Sequence, residues 1–267
     1  MLHAISRKKT CLHHRYLGHR EEGERRVMEE DELTATLMGP LAFFPASAVS
    51  ALWREIIGPR TDWPEGEPVR VGVEFWPSRV HSGRRIEPDL LVSLHWRDGT
   101  RRLLLVEFKW RAPLSGERQL HRQWLDFLSD EERETALHLF IAPEVSQGLG
   151  ALAEEDVWGR RLLLRTWQDI LNSAETFKGA GQSPLAEWAV QIENVLGLLG
   201  ISAFGGFLRL GPPSLPEPHK AAFWHGTVSN TDPGDFLEWM NYRHDDGYWQ
   251  GDHRQRNVSR RRIPRER

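Results

Sequence analysis

The sequence predicts an α/β fold in which helices flank a mixed central β-sheet. Apolar residues first recur at helical spacing over 33–57 and then alternate at strand spacing over 69–76. Two apolar runs joined by a turn follow at 90–96 and 103–110, and shorter helical and strand patterns succeed them. Such an alternation of helices and buried strands is typical of an α/β sandwich.

The first half of the pattern gives two helices and one edge of the sheet. Pro40 and Pro45 divide residues 33–57 into two helices, because proline disrupts a helix interior. The first strand has apolar residues at every second position, which predicts one buried face: Val69, Val71, Val73 and Phe75.

Strands two and three, 90–96 and 103–110, form a predicted hairpin whose turn sets the register. A two-residue turn at 98–99 would place Asp89 opposite Phe108, whereas a three-residue loop over 97–99 would place it opposite Glu107. We predict the three-residue loop, with its glycine in the left-handed conformation, because only this register puts Asp89 on the same face as Glu107.

The second half of the pattern returns to alternating helices and strands. A helix is predicted over 117–129, a short buried strand over 136–142 and a further strand over 162–167. A last helix is predicted over 184–199, and Gly200 marks its end.

Composition divides the chain into three parts. Residues 1–27 are rich in basic residues and histidine and are predicted to be a disordered extension, with Met28 as the natural start. Residues 28–210 would form the main domain. Residues 211–267 would comprise a proline-rich linker, an aromatic appendage and a basic C-terminal tail.

Composition also excludes several kinds of site. The single cysteine, Cys11, excludes zinc sites built from several thiolates, so a metal would be held by oxygen or histidine. The histidines at 81, 95, 121 and 138 have no cysteine or carboxylate at metal-ligand spacing and are interpreted as surface or packing residues. No run of about 20 apolar residues is present, which predicts a cytoplasmic protein without a membrane span.

Charged residues interrupt the third strand where it should be buried. Alternation places Glu107 and Lys109 on one face of the sheet and Phe108 on the other. A solvated cross-strand charge pair would explain them if they were exposed, but they follow the apolar run 103–106. Burying charges without a partner or metal is costly, so the pattern favours a functional site.

Two carboxylates on neighbouring strands predict an oxygen-lined site for a divalent cation. Asp89 and Glu107 would bind Mg²⁺ or Mn²⁺, and the backbone carbonyl of Phe108 would add a third ligand. The ammonium group of Lys109 could hold the attacking water or the transition-state oxygens. These groups meet the requirements of phosphodiester hydrolysis.

The spacing of these residues resembles that of the PD-(D/E)xK nuclease superfamily. Pro88-Asp89 followed by Glu107-Phe108-Lys109 matches its pattern. Further similarity, to nuclease-like proteins of bacterial defence regions, brings the match to about residues 28–210 and lies in the segments 30–34, 75–77, 87–89, 109–116, 119–124 and 192–207.

This resemblance implies a restriction-endonuclease-like fold, with Asp89 and Glu107 as metal ligands and Lys109 as the catalytic lysine. An acidic residue of the first helix would complete the site. Glu30 is the first candidate for it, and the neighbouring acidic residues at 31 and 32 are alternatives.

The resemblance also places a glutamine beside the site, as in exonuclease-like members of the superfamily. Gln119 and Gln123 are the candidates. Trp124 stands where those members have tyrosine, so the exonuclease subtype does not follow.

The predicted function is therefore a metal-dependent nuclease that acts on DNA, in defence against foreign DNA. The alternative is a non-catalytic nucleic-acid-binding or assembly subunit that retains the nuclease fold. A partner protein of a defence system and a homodimer are further hypotheses. Arginines on both sides of the site could hold phosphates, and they are Arg79, Arg84, Arg85, Arg111, Arg118 and Arg122.

Overall fold

A computed structural model describes residues 1–19, 29–59, 61–116, 118–179 and 183–203 of the chain. In these ranges the protein has a mixed α/β architecture, a five-stranded sheet flanked by helices, as predicted. No helix in the described ranges is long and apolar enough to cross a membrane. The predictions for the linker, the appendage and the basic tail lie outside the described residues.

Seven strands are present in the described part of the chain. They are β1 (Arg70–Phe75), β2 (Arg79–His81), β3 (Arg84–Ile86), β4 (Leu90–His95), β5 (Arg101–Phe108), β6 (Ala136–Ala142) and β7 (Leu162–Thr166). The main sheet has the order β1-β4-β5-β6-β7, and β2 and β3 form a separate hairpin. The pairs β1–β4 and β4–β5 are antiparallel, whereas β5–β6 and β6–β7 are parallel, so β5 lies at the centre of a mixed sheet.

The helices lie before the sheet, between its later strands and after it. They are α1 (Leu2–Ser6), α2 (Leu12–Tyr16), α3 (Glu29–Met38), α4 (Ala46–Ile57), α5 (Gln119–Arg122), α6 (Asp130–Thr135), α7 (Ser146–Glu154), α8 (Trp167–Glu175) and α9 (Pro184–Leu198). A 3₁₀-helix, Gly39–Phe43, separates α3 from α4 where the sequence has its two prolines. A π-helical turn, Gln123–Phe127, follows α5 directly.

The β4–β5 hairpin has the predicted register. His95 pairs with Arg101 and Leu90 with Val106, and the Trp96 amide donates to the Thr100 carbonyl at 2.9 Å. The loop is therefore residues 97–99, with Gly99 at φ +88°. Continued by one residue, this register places Asp89 opposite the next residue of β5, Glu107.

Gly99 offers a test of this loop, because a side chain is strained at its positive φ even though the space around it is open. Gly99→Ala is expected to lower the free energy of unfolding by about 1 to 2 kcal/mol, measured by urea denaturation. Gly39→Ala is the control, since Gly39 has neither a positive φ nor a close neighbour. Equal stability of the two variants would contradict a strained loop at 97–99.

Apolar layers cover both faces of the sheet. The larger layer includes residues from α1 to α4, α8 and α9, and it receives the side chains of Leu104, Val106 and Phe108. The smaller layer lies under α5 and the π-helical turn and receives those of Leu103 and Leu105. By the alternation of β5, the Glu107 side chain lies on the side of the smaller layer.

The helix predicted over 117–129 is present from Gln119 to Phe127, with its second half in the π-helical turn. It ends two residues earlier than predicted, since Leu128 is extended and α6 begins after Ser129. The Ser129 hydroxyl accepts from the Glu132 amide while the Glu132 carboxylate accepts from the Ser129 amide. This capping box starts a new helix and thereby ends the previous one.

The N-terminal segment also differs from its prediction. Residues 1–19 form α1 and α2 where disorder was expected, and Leu2, Ile5 and Tyr16 are buried in the larger layer. The Trp110 indole donates to the Tyr16 carbonyl at 2.7 Å. Disorder was predicted from the basic average composition, but a few apolar residues are enough to dock two short helices against the larger layer.

Candidate functional site

The predicted site residues come together at one end of β5. Asp89 directly precedes β4, Glu107 is the penultimate residue of β5, and Lys109 follows β5. Glu30 reaches this point from the first turn of α3. Gln119 of α5 and Gln123 of the π-helical turn approach from the smaller apolar layer.

Lys109 links two of the carboxylates. Its ammonium group lies 2.7 Å from Glu107 Oε1 and 2.7 Å from Glu30 Oε1. Although burial opposes the charged form, these two carboxylates raise the pKa of Lys109 above its usual value. Glu30 Oε2 also accepts from the Trp110 amide at 3.0 Å, which fixes the carboxylate at both oxygens.

Among the acidic residues of α3, the contact with Lys109 is made by Glu30. The alternative at position 32 pairs with Arg15 at 3.7 Å instead. A helical residue two positions away points about 200° around the helix, so Glu30 and Glu32 cannot face the same partner. The structure therefore supports Glu30 as the acidic residue of the first helix that reaches the site.

Glu107 has a donor at both carboxylate oxygens. Gln119 Nε2 donates to Oε1 and Gln123 Nε2 donates to Oε2, both at 2.6 Å. Burial raises the pKa of Glu107, whereas Lys109 and the Gln123 amide act in the opposite direction. Both predicted glutamines are thus in contact with the central carboxylate.

Asp89 lies beside this network with its charge less well compensated. Its Oδ2 accepts from the Phe108 amide at 2.7 Å. Burial and the nearby Glu107 charge raise the pKa of Asp89 to about 8. In the absence of a further cation, the protonated form of Asp89 is therefore favoured.

The charges of the site fit a divalent cation. Glu30, Asp89 and Glu107 carry three negative charges when ionised, and Lys109 supplies one positive charge. When all three carboxylates are ionised, the net charge of these four groups is two negative charges, which one Mg²⁺ or Mn²⁺ would neutralise. Asp89 and Glu107 are the carboxylates that could hold the cation, and the Phe108 carbonyl stays a predicted third ligand.

The described residues do not provide a complete ligand shell for a metal ion. Within the described ranges, no three His, Cys, Asp or Glu side chains are grouped so that they could hold a metal ion together. Mg²⁺ is commonly bound by one or two carboxylates, with water and substrate phosphate as the other ligands. Two carboxylates therefore suit Mg²⁺ better than a cation that needs a full protein cage.

The site is buried but adjoins an outer cavity. Asp89, Glu107 and Lys109 are 8%, 1% and 4% exposed. The outer cavity has a volume of about 640 Å³, and Gln119 and Gln123 line it together with His81, Ser82, residues 84–87, Ser115, Arg122 and Asp126. Because these glutamines bind Glu107 directly, the cavity ends one side chain away from that carboxylate.

Three of the six predicted phosphate-binding arginines line the outer cavity. They are Arg84, Arg85 and Arg122, and Arg85 also pairs with Glu87. Arg118 instead forms ion pairs with Glu154 and Glu155 on α7 and the residue after it. The Arg111 guanidinium packs against Gly18 of the N-terminal segment.

Arg79 has a structural contact that the sequence did not predict. It donates to the Phe127 carbonyl at 2.6 Å and to both carboxylate oxygens of Glu132, at 2.6 and 2.9 Å. Its guanidinium also lies 4.4 Å from the centroid of the Phe127 ring. The pKa of Glu132 is lowered to about 2 by this arginine. Arg79 thus ties the β2–β3 hairpin to the π-helical turn and α6.

Sequence reasoning missed two residues behind Gln123. His138, interpreted as a surface or packing residue, is fully buried, and its Nε2 lies 3.2 Å from Gln123 Oε1. Trp158 Nε1 donates to His138 Nδ1 at 3.0 Å. The signal in the sequence was a single histidine within the otherwise apolar strand Ala136–Ala142.

No model of a known protein family, no curated protein and no solved structure matches this chain. The resemblance to PD-(D/E)xK nucleases therefore depends on the residues of the site and their arrangement.

Proposed function

We propose that this protein is a Mg²⁺- or Mn²⁺-dependent nuclease with a restriction-endonuclease-like fold, related to the PD-(D/E)xK superfamily. The observation that carries the proposal is the convergence of Asp89, Glu107 and Lys109 at one end of a central strand. Lys109 compensates the charge of only one of the two carboxylates, and burial together with Glu107 disfavours the charged form of Asp89, so a divalent cation is the natural partner that would let both carboxylates ionise.

Each residue has a role that its contacts support. Asp89 and Glu107 would hold the cation, which supplies a water of lowered pKa and neutralises charge on the phosphate. Lys109 is placed to orient the attacking water or to bind a phosphate oxygen, and Glu30 holds its ammonium group. Gln119 and Gln123 hold the Glu107 carboxylate.

DNA is the proposed substrate, and defence against foreign DNA in the cytoplasm is the proposed role. The defence role derives from the resemblance of segments such as 109–116 and 119–124 to proteins of bacterial defence regions. The arginines of the outer cavity, Arg84, Arg85 and Arg122, support a polyanionic ligand next to the site. A partner protein and a homodimer remain hypotheses from the sequence.

A second candidate is a non-catalytic nucleic-acid-binding or assembly subunit. The observation that favours it is the closure of the site: Glu107 is 1% exposed and both of its oxygens already have donors. In that case the Glu30–Lys109–Glu107 ion pairs would serve only to fix α3 against β5. Metal uptake distinguishes the two candidates.

The nuclease proposal predicts cleavage that requires a divalent cation. Supercoiled, linear and single-stranded DNA, and single-stranded RNA as a comparison, would be incubated with the protein in Mg²⁺, Mn²⁺ or EDTA. We expect cleavage of DNA in Mg²⁺ or Mn²⁺ and none in EDTA, and the products would show whether cutting is internal or from ends. Calorimetric titration with Mn²⁺ should show uptake by the same preparation.

Absence of both cleavage and Mn²⁺ uptake would contradict the nuclease proposal and support the non-catalytic subunit. Cleavage that persists in EDTA would contradict the assignment of Asp89 and Glu107 as metal ligands.

A further inference from the structure

A buried series of hydrogen bonds extends from Glu107 to a tryptophan on the β6–β7 connection. Gln123 Nε2 lies 2.6 Å from Glu107 Oε2, and Gln123 Oε1 lies 3.2 Å from His138 Nε2. His138 Nδ1 in turn lies 3.0 Å from Trp158 Nε1. All four side chains are almost completely buried, so no water is needed to complete the series.

The direction of every bond in this series follows from its last member. An indole N–H can only donate, so His138 Nδ1 must accept from Trp158. A neutral imidazole with an accepting Nδ1 carries its proton on Nε2, which then donates to Gln123 Oε1. The amide nitrogen of Gln123 is thereby directed at Glu107, where a donor is required.

The surroundings of His138 keep it neutral and in place. Burial lowers its pKa to about 3, and a protonated ring would set Nδ1–H against the Trp158 donor. The Trp124 ring lies parallel to the imidazole, with 6.2 Å between centroids and 7° between planes. Trp158 is held through its own backbone, since its amide donates to Asp156 Oδ1 at 3.1 Å.

We propose that His138 and Trp158 are positioning residues, which fix the Gln123 amide as a donor and so hold the Glu107 carboxylate next to Asp89 and Lys109. If the Gln123 amide were reversed, its oxygen would face the Glu107 oxygen at 2.6 Å, and the two would repel. The effect on metal binding rests on the proposed nuclease function, whereas the tautomer of His138 is independent of that function.

The tautomer is tested on the metal-free protein by ¹⁵N NMR of the histidine rings. The wild-type His138 should show the neutral Nε2–H pattern, unchanged from pH 5 to pH 8. Trp158→Phe removes the indole donor but keeps an aromatic ring, so the pattern of His138 should change toward a mixture of tautomers. A wild-type His138 that is protonated on Nδ1 would overturn the proposal.

Trp188→Phe is the matched control for this experiment. Trp188 is as buried as Trp158, and its indole donates to the Leu37 carbonyl at 2.8 Å, within the larger apolar layer. This variant loses a comparable hydrogen bond without touching His138. A His138 spectrum that responds equally to both substitutions would indicate general loosening of the core and would overturn the specific role of Trp158.

The positioning role is tested by Mn²⁺ titration of two variants of His138. His138→Leu cannot donate to Gln123 and is expected to weaken Mn²⁺ binding by about tenfold or more, as removal of outer-shell partners does. His138→Gln, whose amide can reach the position of Nε2 and donate, should retain most of the affinity. Near-UV circular dichroism would verify that both variants are folded. If one of them does not fold, Trp158→Phe is titrated with Mn²⁺ in its place.

Equal and unchanged Mn²⁺ affinity in these variants would overturn the positioning role. A wild-type protein that binds no Mn²⁺ but shows the Nε2–H tautomer would refute the proposed nuclease function and leave the direction of the hydrogen bonds supported. The two failures are therefore distinguishable.

Discussion

The substitution Asp89→Asn is expected to abolish metal-dependent cleavage while it stabilises the metal-free protein at neutral and higher pH. Asparagine can still accept the Phe108 amide through its carbonyl oxygen, so the local hydrogen bond is retained. It removes a charge that burial and Glu107 both disfavour. Because Asp89 is a proposed direct ligand of the metal, its loss should lower the cleavage rate by about 100-fold or more, beyond the usual effect of an outer-shell change.

The sign of the stability change follows from the pKa of Asp89. The value rises from 3.8 to about 8 on folding, so the folded protein retains a proton that the unfolded chain releases. Stability of the metal-free wild type therefore falls as the pH rises from about 4 through 8, by up to about 1.4 kcal/mol per pH unit. Asp89→Asn has no ionisable group at this position, so its free energy of unfolding does not fall in this way. The difference in stability between the variant and the wild type therefore increases from about pH 4 to pH 8.

Urea denaturation in EDTA at pH 5 and pH 8 measures the stability difference, and the DNA cleavage assay measures the activity. Asp98→Asn, in the exposed hairpin loop, is the control and should cleave as the wild type does. Wild-type cleavage by Asp89→Asn would remove Asp89 from the site. A variant less stable than the wild type at pH 8 would contradict the burial of an uncompensated charge.

The substitution Lys109→Met is expected to have the largest effect on stability. It leaves the carboxylates of Glu30 and Glu107 without the ammonium group that lies 2.7 Å from each. Removal of one partner from a buried ion pair typically costs about 3 to 5 kcal/mol, because the remaining charge is buried without compensation. Cleavage should be lost as well, and urea denaturation at pH 7 measures the change in stability.

Lys178 provides a closely matched control. It also lies between two carboxylates, Glu175 at 3.4 Å and Glu193 at 2.7 Å, but all three side chains are partly exposed. Lys178→Met should therefore cost no more than about 1 kcal/mol. Similar losses from the two substitutions would contradict a special role for burial at Lys109. The double variant Lys109→Met/Glu30→Gln should recover part of the loss, since one carboxylate is then uncharged.

The sheet and the central part of the site were predictable because their signals are local. The β4–β5 register depends on a loop of three residues with one glycine, and it confirmed that Asp89 and Glu107 share a face. Apolar runs located the five strands of the main sheet. Glu30, Gln119 and Gln123 were predicted from the resemblance, and the structure brings all three into contact with Glu107 or Lys109.

The features that were missed have weak local signals. The β2–β3 hairpin is mostly exposed and charged, so it lacks apolar alternation. His138 and Trp158 are 20 residues apart, and their contact exists only after β6 and the connection behind it have packed together. The π-helical turn is likewise set by tertiary packing, since Trp124 and Phe127 are both buried in the smaller layer.

The Arg79 contacts have a consequence for how a ligand would enter the outer cavity. One wall of the cavity comes from the β2–β3 hairpin, with Arg84 and Arg85, and the other from α5 and the π-helical turn, with Arg122. Arg79, on the hairpin, donates hydrogen bonds to Phe127 of the π-helical turn and to Glu132 of α6. The distance between the two walls is therefore set before any ligand arrives. A polyanion that fits between the walls would bind with little loss of conformational entropy in the protein. A wider one could enter only if the walls moved apart, which would break the hydrogen bonds of Arg79.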